Sequence, residues 1–190
     1  MTRQIRIGFH LIEDALSEPV GVQELAEGRP DKLLLARLIR AARKRAEKET
    51  GILIGEQKWR MTMDRFPHGS EEDGDCFLLL HWPIRKITRF AYQDEKERWV
   101  GLESGDYRLD DSVCPARIEP PADEDWPQTV QAINAVTIEY LAGEPASASA
   151  ADAIRMIAAH LYDQRDNIPL IMEGQSFPIP VAALAILQGN

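Results

Sequence analysis

The residues with the most reactive side chains sit near the middle of the chain. Cys76 and His81 are close enough to suggest a thiol nucleophile with a nearby base. Their separation is odd, so on one strand they face opposite sides. Neither lies on a glycine-rich elbow or at a helix start. A triad assembled from distant parts stays open, but a small packed hydrophobe accounts for Cys76 as it stands. His160 and Asp163 have the i, i+3 spacing of two metal ligands on a helix. The four histidines (His10, His68, His81 and His160) form no recognisable ligand set. Glu71, Glu72, Asp73 and Asp75 offer hard oxygen ligands, but their order lacks the D-x-D-x-D-G pattern and closing glutamate of a calcium loop. They read as a solvated hairpin tip. Neither GxGxxG nor GxxxxGK[ST] occurs. The sequence therefore assigns no catalytic, metal-binding or cofactor-binding residue, and the expectation is a protein without enzymatic activity.

One charged pattern remains. Arg37, Arg40, Lys44 and Lys48 share a helix face in a chain with a net charge of −9. Pairing with Glu47 and Glu49 would make this an ordinary solvated face. Contact with an acidic partner, including a neighbouring copy of the chain, is the functional alternative. Direct DNA contact is a third, although no aromatic side chains interleave with the charges. An acidic chain does not attract nucleic acid as a whole.

The elements that position these residues follow from periodicity. Asp31 is a candidate N-cap. Leu34, Leu35, Leu38, Ile39, Ala42 and Ala46 form an apolar stripe at helical spacing, and Gly51 suits the C′ position. From Gln57 the period becomes two. Trp59, Met61 and Met63 face one way; Lys58, Arg60 and Thr62 face the other. Further strands are expected at 76–82, 84–93, 99–102, 107–109, 116–118 and 134–140, with turns at 67–75 and 94–98. About six or seven strands at this spacing imply a small antiparallel barrel or sandwich. Residues 5–9 alternate as a short arm or strand, and 22–26 form a possible short helix. Trp59, Trp82, Trp99 and Trp126 are expected in the core and at strand ends. Residues 144–151 (EPASASAA) read as a linker, with Ser149 as N-cap of a helix over 152–165. After a loop at 168–180, residues 181–187 form a short apolar helix. Its residues Val181, Leu184 and Leu187 either fold back or are buried by another subunit.

Length and composition fit this plan. The chain has 190 residues, 44% of them hydrophobic, enough to bury a core without disulfides. Cys76 and Cys114 show no CxxC spacing and read as reduced thiols. There is no run of signal-peptide length, and none of the roughly 18 apolar residues that suggest a membrane span. A soluble, intracellular protein is expected, with no membrane contact.

In their order along the chain, the segments AARKRAEKETGILIGEQKWRMTMDRFP, LHWPIRKITRFAYQD, SGDYRLD followed by ARIEP, WPQTVQAINAVTIEYLAG and AIRMIAAHLYDQRD resemble the head–tail connector (adaptor, or head-completion) proteins of tailed double-stranded-DNA phages and prophages. The likeness is to the long form with a β-rich insertion and covers about residues 18–166. It implies an α+β fold. Residues 1–51 would be an arm and helical frame, 52–143 an inserted antiparallel β-rich subdomain, and 144–190 a linker and helices completing the frame. It further implies a ring of about twelve copies beneath the portal protein, extending the DNA channel and presenting a platform to a neck or tail protein. DNA would pass without specific binding. The expected location is the neck of the virion, and the host cytoplasm during assembly. No catalytic residue is carried over. The subunit-contact candidates are Arg37, Arg40, Lys44, Lys48, Val181, Leu184 and Leu187. Alternative roles are a tail-side neck or tail-completion protein, or a DNA-packaging accessory.

Overall fold

The computed structural model describes residues 5–14, 32–67, 75–164 and 178–189. The fold is α+β, with helices and antiparallel sheets in one chain. It divides into two compact units. One comprises Met1–Ala15 with Glu56–Glu144, the other Leu16–Gly55 with Pro145–Asn190. The candidate cap Asp31, the short helix at 22–26, most of the acidic turn at 67–75 and the first part of the loop at 168–180 lie outside the described residues.

In the helical unit, α1 (Lys32–Thr50) follows the apolar stripe. Leu35, Leu38, Ile39, Ala42 and Ala46 are buried. The helix stops at Gly51, whose φ of +71° suits a residue without Cβ; its N–H donates to the Glu47 carbonyl at 2.9 Å. The second helix, α2 (Ala148–Asp163), packs Ala153, Ile154, Ile157, Ala158 and Leu161 into the same cluster. Its cap differs from expectation. Ser147, not Ser149, accepts the Ala150 N–H at 3.1 Å. The helix therefore starts inside the segment read as linker, because the alanines of ASASAA are strong helix formers. The last helix, α3 (Val181–Leu187), folds back. Ala183 is fully buried, and Ile186 and Leu187 pack against the cluster.

The β-rich unit contains two antiparallel sheets. The larger runs β1-β2-β8-β4-β5, and the smaller β3-β7-β6. The strands are β1 (Ile7–Asp14), β2 (Gln57–Met63), β3 (Phe77–Leu79), β4 (Ile84–Gln93), β5 (Trp99–Gly101), β6 (Arg108–Asp110), β7 (Ala116–Glu119) and β8 (Val136–Ala142). The amino-terminal arm is thus a full edge strand, paired from Ile7↔Met63 to Asp14↔Gln57. Strand β8 is central and buried from Val136 to Tyr140. The turn after β4 is tied by Asp94, whose carboxylate accepts the Lys96 and Arg98 N–H groups and the Arg98 guanidinium.

The core of this unit is aromatic. Trp126 is 2% exposed and stacks on Phe66 at 4.7 Å between centroids. Its indole N–H donates to the Asp75 carbonyl at 2.6 Å. Phe77 of the small sheet meets Phe90 of the large one edge-on at 6.2 Å. Of the core and strand-end positions expected for the tryptophans, Trp99 takes the second. It lies on the short edge strand β5 and is 49% exposed.

Candidate assembly surfaces

Helical periodicity places Arg37, Arg40, Lys44 and Lys48 on the outer face of α1, and all four are exposed. None has an ion pair among the described residues. Glu47 and Glu49, expected to neutralise this face, pair elsewhere. Glu47 lies 3.5 Å from Arg43 and also accepts the Ile54 N–H at 3.1 Å. Glu49 lies 3.5 Å from Arg45. Both contacts are i, i+4, and the i+4 neighbours of Arg40 and Lys44 are cations; Glu47 is i+3 of Lys44 but turns to the buried Arg43. Beside this face lies a groove of about 270 Å³ with Lys44 and Lys48 on its rim and Ala41, Ile157, Leu161 and Ile179 among its lining. On α3, Val181 is 84% exposed, while Leu184 and Leu187 are half-buried, Leu187 against its own core.

The large sheet carries a second cationic surface that sequence reading did not assemble. Register aligns Arg60 of β2 and Arg89 of β4 on either side of Glu139, and Lys58 and Lys86 on either side of Leu141. Glu139 accepts two hydrogen bonds from the Arg60 guanidinium, at 2.7 and 3.1 Å, and lies 3.0 Å from Lys58 Nζ. Burial alone would raise the Glu139 pKa; the hydrogen bonds from Arg60 and Lys58 outweigh it and hold the carboxyl below its ordinary value. Alternation in β2 gave the facing of Lys58 and Arg60. The alignment with β4 arises only through pairing with β8, remote in sequence.

The reactive side chains are placed as follows. Cys76 is half-buried and its thiol lies 3.8 Å from the Phe77 carbonyl. His81 stacks on Trp59 at 3.5 Å between centroids, meets Phe9 edge-on, and shares a 2.7 Å hydrogen bond between Nδ1 and the Tyr140 hydroxyl. Burial lowers the His81 pKa to about 4, so the imidazole is neutral at physiological pH. The same burial raises the Tyr140 pKa. His160 is half-buried and Asp163 exposed on α2. Among the described residues, no group of three His, Cys, Asp or Glu side chains is arranged to hold a metal ion, and no helix is long and apolar enough to cross a membrane.

A loop on the β-rich unit completes the inventory. Asp123, Glu124 and Asp125 are consecutive, exposed and without an ion pair among the described residues. The loop is held by the buried Trp126 behind it and by a hydrogen bond from the Glu124 N–H to the Pro121 carbonyl at 3.2 Å.

No protein-family model and no curated protein sequence matches the chain. Solved structures do. A chain in the virion of a native gene transfer agent (GTA) particle superposes with a TM-score of 0.66 at 19% identity, covering 95% of this chain and 93% of that one. A chain in the neck of the native GTA particle, computed with C12 symmetry, gives 0.61 at 20% identity over 94% and 93%. One in the neck of the empty particle, with C6 symmetry, gives 0.64 at 19% over 95% and 93%. The fold is therefore one carried by chains of such a particle and its neck.

Proposed function

We propose that this protein is a structural subunit of the neck of a tailed phage or phage-like particle. In this reading it is a head–tail connector that forms a ring beneath the portal protein, extends the DNA channel and receives the next neck or tail protein. It acts in the virion after assembly in the host cytoplasm, and without enzymatic activity. The observation that carries the reading is the fold likeness over 94% of the chain to a chain in a neck of C12 symmetry. A closed ring of identical copies needs two different surfaces per subunit, related by a rotation that closes. Exposed cations on α1 and exposed acids elsewhere on an acidic chain supply surfaces of opposite sign.

The test is genetic and structural. Deleting the gene from its phage or prophage is expected to give DNA-filled heads without tails, and particle reconstructions should place the chain between portal and tail as a ring. Normal tailed particles in the deletion strain would end the proposal. The cationic sheet surface at Lys58, Arg60, Lys86 and Arg89 favours one second reading, a DNA-packaging accessory. That reading requires duplex binding that weakens steeply with salt. No binding at low salt would remove it.

A further inference from the structure

The outer stripe of α1 is electrostatically self-opposed. Arg37 and Arg40 are i, i+3; Arg40, Lys44 and Lys48 follow at i, i+4. Each like-charge neighbour at this spacing destabilises the helix. Nothing among the described residues neutralises the stripe, because the adjacent glutamates are engaged by Arg43 and Arg45. Beside the cations the groove lining is apolar, at Ile157, Leu161 and Ile179. An occupant matching both features would carry carboxylates next to small apolar groups, in a conformation fixed beforehand.

The β-rich unit offers such a segment. In Pro121-Ala122-Asp123-Glu124-Asp125 two apolar residues precede three acids. Among the described residues this is the unit's run of three adjacent exposed acids: Asp94, Asp110 and Glu119 are half-buried and paired with Arg98, Arg117 and Arg108, and the exposed Glu56, Glu103, Asp106, Asp111 and Glu144 form no such run. Glu95 and Glu97 flank Lys96, which offsets them. The loop is stiffened by Pro120 and Pro121 in sequence and by the buried Trp126, so little conformational freedom is lost on docking. We infer that the 121–125 loop of one copy docks on the α1 stripe and groove of the neighbouring copy, forming the head-to-tail contact of the ring. This rests on the connector reading and names the partner surfaces it needs.

Charge exchange tests it. One variant carries Lys44→Glu and Lys48→Glu, the other Glu124→Lys and Asp125→Lys. Asp123 is kept because its φ of +65° suits aspartate better than lysine. All four positions are exposed, and circular dichroism verifies folding. Wild-type protein is expected to self-associate at high concentration and low salt, measured by sedimentation velocity. Each variant alone should associate at least about tenfold more weakly. An equimolar mixture should recover association, because every contact between unlike copies again pairs an acid with a base, and an even-numbered ring closes with copies alternating. Contact within one chain would not be rescued by mixing. If the wild type associates while both variants match it, or while the mixture stays dissociated, the pairing is wrong and the ring reading stands. A wild type that remains monomeric, alone and with purified portal protein, removes both.

Discussion

Among the described residues of the helical unit, the core side chains at 2% exposure or less are aliphatic: Leu35, Ile39, Ile154 and Ile157 with Ala42, Ala46, Ala153, Ala158 and Ala183. In the β-rich unit they include Phe66, Met61 and Tyr140, with Trp126 at 2%. Aliphatic side chains pack α1 against α2 but provide few directional ties; the buried Arg43, 3.5 Å from Glu47, is a polar exception. The aromatic core is different. The Trp126 indole is pinned to the Asp75 carbonyl, and the Tyr140 hydroxyl to His81. Directional bonds inside fix where strands end and loops begin. One unit offers a charged helix face, the other an acidic loop seated on a buried indole.

The sharpest way to break this contrast is to remove its centre. Trp126→Ala deletes a side chain in contact with Phe66, Phe77 and Phe90, and should cost about 3–5 kcal/mol. All four tryptophans lie in the β-rich unit, so urea unfolding followed by tryptophan fluorescence reports on that unit. Circular dichroism at the helical minimum weights the other. A large shift in the fluorescence midpoint with the helical signal unmoved would show that the units unfold separately. Coincident shifts would show one cooperative transition. A fluorescence midpoint unchanged by the substitution would contradict the central role given to Trp126.

Local pattern made much of this legible in the sequence. The α1 stripe, its stop at Gly51, the alternation of β2 and the bounds of α3 all depend on neighbours within one or two turns, and each is present. What pattern does not carry is register. The alignment of Arg60, Glu139 and Arg89 depends on pairings between strands dozens of residues apart. Sequence leaves Trp126 open between core and strand end, and only the packing of Phe66, Phe77 and Phe90 around it places it in the aromatic core. The cations of α1 are visible as a face, but not that they lack an ion pair among the described residues. Choosing between Arg43 and Lys44 for Glu47 depends on which side chains the packed helix turns toward each other.

Acid should affect the β-rich unit through His81. In the unfolded chain the imidazole takes up a proton near pH 6.5; in the folded protein it does so only at about 4. Between these values the unfolded state holds more protons, so stability falls as pH is lowered. This contribution is complete above about pH 6.5 and is lost as pH falls through about 4. His81→Gln cannot titrate and retains a hydrogen-bonding side chain for Tyr140. Its fluorescence-detected midpoint should be flatter than that of the wild type between pH 6.5 and 4.5. Equal slopes would mean that the imidazole is not shielded by Trp59 and Phe9 as described.

The smallest effect tests the helical side. Ser147→Ala removes the acceptor of the Ala150 N–H and should cost about 1 kcal/mol, read from the helical circular dichroism signal. Ser149→Ala should cost less, since that hydroxyl lies one residue inside α2 and contacts only the Ser147 hydroxyl, at 3.0 Å. The pair distinguishes two starting points for one helix. If Ser149→Ala proved the costlier, α2 would begin two residues later and ASASAA would act as a spacer. If Ser147→Ala does, the helix starts at Ala148, and the chain turns from the β-rich unit into α2 over only the few residues that follow β8. Even a modest capping energy then bears on how firmly the start of α2 is set.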